Sequence, residues 1–110
     1  MTTFSTRRLK LLRKIGHQLK PIILMGQQGL NDGFIQECSR ALKDHELIKI
    51  KLSYEDATEK KELLNKICEQ TQSDLLQQVG HMALLYKKAK KPNPKLSNLI
   101  RLQPTPPTKT

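Results

Sequence analysis

A chain of 110 residues, 36% apolar and 27% charged, has the make-up of one soluble globular domain, with enough length for a single core and too little for two. Its net charge of +10 is unevenly spread: segment 1–31 holds six Lys/Arg and no acid, 32–74 sets seven Lys/Arg against ten acids, and 75–110 holds seven Lys/Arg and no acid. Basic ends around a mildly acidic middle describe an oriented surface for a polyanion, and no apolar run approaches the ~18 residues of a membrane span.

The N-terminus, MTTFSTRRLKLLRKIG, scatters basic residues through its apolar ones, which argues against a secretory signal and for a first helix. Ser5 or Thr6 can cap that helix, which runs to about Gln18 with Leu11, Leu12, Ile15 and Leu19 on one side. At 100° per residue Arg7, Lys10, Arg13, Lys14 and His17 fall on the other side and form a cationic ridge. Pro21 stops the helix and starts a strand, Ile22 to Met25, whose unbroken apolar run implies burial on both faces and a parallel pairing. Asn31 is a good N-cap for a second helix ending near Asp44, with Asp32 well placed at the dipole and Phe34, Ile35, Cys38, Ala41 and Leu42 as its core stripe.

The next strand, Leu47 to Leu52, alternates. Ile48, Ile50 and Leu52 make a dry face, while Leu47, Lys49 and Lys51 make one that is mostly wet and basic. A third helix from roughly Thr58 to Thr71 packs through Leu63, Leu64, Ile67 and Cys68. Strands at Leu75 to Val79 and Met82 to Tyr86 flank a two-residue Gly80-His81 hairpin turn. The order α-β-α-β-α-β-β predicts an α/β domain: a right-handed strand–helix–strand crossover plus an antiparallel hairpin, giving a mixed four-stranded sheet. The domain is expected to cover 1–90. The stretch 91–110, basic and Pro-punctuated, is expected to be a flexible tail, although Leu96, Leu99, Ile100 and Leu102 have the spacing of a short amphipathic turn.

The most informative junction is PIILMGQQGLND. There a strand runs into Gly26-Gln27-Gln28-Gly29 and then, through Leu30 and Asn31, into a helix start. Glycines let a backbone approach an anion closely, and the N–H groups and positive dipole end of a helix point at what sits there. Gln27 and Gln28 place uncharged amides at the tip, able to bond phosphate, sugar or base edges without repelling a polyanion. With Lys20 and the cationic ridge nearby in sequence, the candidate RNA-binding residues are Arg7, Lys10, Arg13, Lys14, His17, Lys20, Gly26, Gln27, Gln28, Gly29, Leu30 and Asn31.

In LKPIILMGQQGL, HELIKIKL and VGHMALLYK, taken in this order, the chain resembles the CRM family (chloroplast RNA splicing and ribosome maturation) and its bacterial YhbY-like RNA-binding members over roughly residues 5 to 88. The resemblance implies a fold similar to the C-terminal domain of bacterial translation initiation factor three. It also implies binding of ribosomal RNA in pre-ribosomal large-subunit particles, with the GxxG loop against the nucleic-acid backbone as in KH domains. Lys87 stands where an Arg usually follows the Leu-Tyr pair, and a lysine offers a point charge in place of a planar fork.

The sequence holds no catalytic constellation. Asp32, Asp44, Glu46, Glu55 and Asp56 fall at element ends or in loops, no Cys/His cluster has metal-ligand spacing, and no phosphate loop with its Lys-Ser/Thr pair occurs. No enzyme activity, cofactor, metal or small-molecule substrate is therefore expected. Cys38 and Cys68 read as reduced core residues of a cytoplasmic, monomeric protein with no membrane association. With two Tyr, two Phe and no Trp, recognition is expected to be of shape and backbone, Tyr54 and Tyr86 each being able to stack one base. The competing reading is a protein-interaction adaptor whose basic ends hold an acidic partner or an anionic surface.

Overall fold

The computed structural model describes residues 6–26 and 29–88. Its elements are α1 (Thr6–Gln18), β1 (Ile23–Leu24), α2 (Asp32–His45), β2 (Leu47–Lys51), α3 (Ala57–Thr71), β3 (Asp74–Val79) and β4 (Met82–Tyr86), the expected order. They form one mixed four-stranded sheet in the order β1-β2-β4-β3, with β1 parallel to β2 and the other pairs antiparallel. Gln27, Gln28 and the tail from residue 89 lie outside the described residues.

Helices cover both faces of the sheet. On one face α2 and α3 bury Phe34, Cys38, Leu42, Leu64 and Ile67 against Ile23, Ile48, Ile50, Ala83 and Leu85. On the other, α1 lays Leu12 and Ile15 over Leu47, Leu76, Leu84 and Tyr86. The second layer corrects the expectation that the Leu47 side of β2 is mostly wet. Leu47 is fully buried, Lys49 is half-buried, and Lys51 alone of the three is exposed. It also corrects Tyr86, which is buried in this layer and presents no face to a base.

A further correction concerns β1. Its pairing is parallel, but β1 is an edge strand, and burial alternates along it: Ile23 and Met25 point into the core, while Ile22 and Leu24 are 50% and 64% exposed. A continuous apolar run usually marks burial on both faces. Here α1 crosses the far end of the sheet and leaves this end of the face open.

Local chemistry sets the boundaries. The Asn31 side chain accepts from the Phe34 N–H at 2.9 Å, the expected N-cap of α2. Glu46 ends α2 at φ 64° with its N–H on the Leu42 carbonyl, and Gln72 caps α3 in the left-handed region. At the hairpin, the Tyr54 hydroxyl donates to the Gly80 carbonyl at 2.7 Å, and the Tyr54 ring lies 4.5 Å from that of His81. His81 Nδ1 is 3.1 Å from the Leu52 carbonyl. The loop after β2 is thereby tied to the β3–β4 turn. His81 is a structural residue, and the hydroxyl of Tyr54 is already engaged.

Candidate nucleic-acid interface

The turn after β1 is built by two short backbone contacts. Met25 donates its N–H to Lys51 O at 2.9 Å, which holds the end of β1 on the sheet. The Gly29 N–H then donates to the Gly26 carbonyl at 3.0 Å and closes the four-residue turn. Gly29 sits at φ +72°, where a side chain strains the backbone, so glycine is required there for conformation. At Gly26 a Cβ would meet nothing within 4 Å, so no packing within the chain demands glycine.

The turn delivers the chain to the N-terminus of α2. Of the first-turn donors, Phe34 N–H is taken by the Asn31 side chain and Ile35 N–H by the Asn31 carbonyl at 3.1 Å; those of Asp32 and Gly33 precede them at the helix end, where an α-helix offers no internal acceptor. In front of them lies an open depression of about 510 Å³ lined by Leu24, Gly26, Gly29, Asn31, Gly33 and Phe34, with Glu37 on its wall. Backbone can approach an anion here. Glu37 was not among the sequence-derived candidates, although its position four residues after Gly33 puts it on the same side of the helix. Its carboxylate and that of Asp32 put negative charge on the α2 side of the depression.

The cationic residues of α1 emerge as expected. Arg7, Lys10, Arg13, Lys14 and His17 are all exposed, as is Lys20 in the link to β1. Arg13 also ties α1 to the sheet, because its Nε–H donates to the Leu76 carbonyl on β3 at 3.0 Å, fixing one edge of the guanidinium and leaving the other donors outward. Leu30 is half-buried and packs on the main core, so its contribution is to anchor the turn. Asn31 is exposed, with its side chain committed to the cap. Gln27 and Gln28 lie outside the described residues. The α1 residues and the turn stand at opposite ends of the sheet, α1 over the Leu47–Tyr86 end and the turn at the Lys51 end, with a strip of sheet between them that no described residue covers.

The described residues contain no group of three or more His, Cys, Asp or Glu able to hold a metal, and no helix among them is long and apolar enough to cross a membrane. The thiols are quiet. Burial, with a smaller push from Glu37, raises Cys38 to about 12, and burial likewise raises Cys68 against a lowering hydrogen bond from Ser73. At pH 8 an alkylating reagent is expected to label half-buried Cys68 slowly and Cys38 only after unfolding in urea, as mass spectrometry of labelled peptides would report. Because Cys38 loses its proton near 9 when unfolded and near 12 when folded, this group contributes stability up to about pH 9 that is lost as the pH rises toward 12.

A mixed sheet with helices on both faces and a Gly-x-x-Gly turn feeding a capped helix defines a small α/β domain. The chain belongs to the CRS1/YhbY (CRM) domain family, whose model matches residues 4–87. It is 47% identical over 92 residues to a probable RNA-binding protein of Pseudomonas aeruginosa, covering 84% of this chain and 88% of that one. It is 37% identical over 87 residues to an RNA-binding protein of Haemophilus influenzae, covering 79% and 88% of the two chains. Among solved structures, that of a hypothetical Staphylococcus aureus protein, described as a candidate RNA binder, superposes with a TM-score of 0.70 at 29% identity. It covers 86% of this chain and 98% of its own.

Proposed function

We propose that this protein is a noncatalytic, monomeric, cytoplasmic RNA-binding protein that grips the RNA backbone with its GxxG turn and the basic side of α1. Its partner is ribosomal RNA in pre-ribosomal particles, and its role is assembly of the large ribosomal subunit. The observation that carries the reading is the Gly26–Gly29 turn, closed by the Gly29 N–H on the Gly26 carbonyl and set before the capped N-terminus of α2, in a chain whose first six charges are all positive. Family membership and the RNA-binding names of the relatives support it.

The test is binding as a function of salt. If α1 and the turn neutralise about four or five phosphates, log K should fall with log salt at a slope of roughly −3 on single-stranded RNA. A slope near zero would remove charge as the main attraction and the assigned surface with it. Co-sedimentation with ribosomal precursors that is abolished by nuclease separates this function from that of an adaptor for an acidic protein, which nuclease would leave bound.

A further inference from the structure

Between α1 and the GxxG turn none of the described residues covers the sheet face, and what it presents is unusual for a solvated surface. Leu24, Lys51, Met82 and Val79 form one row across all four strands, since Leu24 pairs with Lys51, Lys51 with Met82 and Met82 with Val79. Leu24 and Val79 are 64% and 63% exposed, and Ile22 beside them is 50% exposed. The neighbouring row adds Lys49, and a depression of about 160 Å³ lined by His17, Lys49, Gln77, Val79, Met82 and Leu84 connects the strip to the end of α1. Leu24 also lines the depression before the turn, so the strip is continuous with the candidate phosphate site at its other end. Neither row carries an acidic residue.

Resting on the reading given under Proposed function, we infer that this strip is a docking surface for unpaired nucleobases of the same RNA strand whose backbone is held at the turn and along α1. The faces of bases are apolar and bury well against aliphatic side chains, while Lys49 and Lys51 meet the phosphates on either side. Charge selects this occupant. The chain's own residues 89–110 carry five Lys/Arg and no acid, and a second copy would bring an equally basic strip, so both are repelled where RNA is attracted. Aliphatic contact discriminates little between bases, so the strip adds affinity for single strands without adding a sequence code.

The test compares a short oligouridylate with an abasic strand of equal length, on wild type and on the Ile22→Thr/Val79→Thr variant, which leaves the lining of the depression before the turn intact. Threonine keeps strand propensity, and both positions are exposed, so the melting temperature should hold. Affinity for the oligouridylate should fall about threefold to fivefold, at or just below the low end of what a base stacked on an aromatic ring contributes, with the abasic affinity and the salt slope unchanged. Equal affinity of variant and wild type for the oligouridylate, or equal losses on both strands, would overturn the inference while a preserved salt slope left backbone binding standing. A wild type that binds neither strand would instead defeat the function proposed above. Sedimentation showing a wild-type dimer that the variant breaks would reassign the strip to a second copy. Should the variant misfold, amide shifts of wild-type Lys51, Val79 and Met82 decide: they must move with oligouridylate and stay with the abasic strand.

Discussion

Replacing Gly16 with valine is expected to destabilise the domain by about 2 kcal/mol and to lower its melting temperature by roughly 10 °C. Gly16 is buried in the middle of the α1–sheet contact, and a Cβ there would come within 2.5 and 2.7 Å of the two methyl carbons of Leu84 and 3.1 Å of its Cγ. Leu84 is only 3% exposed and held by its neighbours, so relieving the contact means forcing its side chain toward the depression it lines or lifting the helix, and the larger valine requires the second. Lifting it loosens Leu12 and Ile15, both essentially fully buried. The intrinsic helix preference of valine over glycine returns only a few tenths of a kcal/mol. Alanine recovers closer to 1 kcal/mol of propensity and adds less bulk, so its loss should be visibly smaller. Urea and thermal melts of the three proteins test the order. A valine variant as stable as wild type would mean that α1 does not rest on Leu84.

The second large effect is on binding. Changing both Gln27 and Gln28 to Asp keeps Gly26 and the left-handed Gly29 and adds two negative charges immediately before α2. In the free protein the dipole of α2 favours negative charge at this end, so folding stability should change by less than about 1 kcal/mol. Against bound RNA the same charges repel phosphate at short range, where Asp32 and Glu37 already add negative potential. Affinity is expected to fall at least tenfold, about 1.4 kcal/mol. A thermal melt paired with an RNA titration at one salt concentration measures both. A folded double variant with wild-type affinity would take the turn out of the binding surface and leave α1 as an unspecific cationic patch.

Much of the fold is readable from local chemistry. The Leu11, Leu12, Ile15, Leu19 spacing marks α1, Asn31 marks the start of α2, and Gly80-His81 marks the hairpin, each within a residue or two of its place in the structure. Of the candidate residues, the Asn31 cap, the positive φ of Gly29 and the exposure of the basic side chains of α1 follow from local chemistry in the same way, whereas the separation of α1 from the turn along the sheet does not. Nor do Glu37 and the committed Nε of Arg13, because each acquires its role from a neighbour distant in sequence or from a helix direction that composition does not reveal.

By itself, then, the sequence determined the elements, the parallel crossover, the acid-free basic end and the glycine turn, all of which follow from interactions within a few residues or from hydrophobic periodicity. The edge position of β1, the cover that α1 rather than water gives the Leu47–Tyr86 end of the sheet, and the seating of Gly16 against Leu84 come from packing between distant segments. The reason is physical. An apolar side chain shows that it seeks burial but not against which partner, and a single helix, about 10 Å across, covers one stripe of a four-stranded face. Where α1 runs out, Ile22, Leu24 and Val79 keep the apolar character of core residues and remain at the surface.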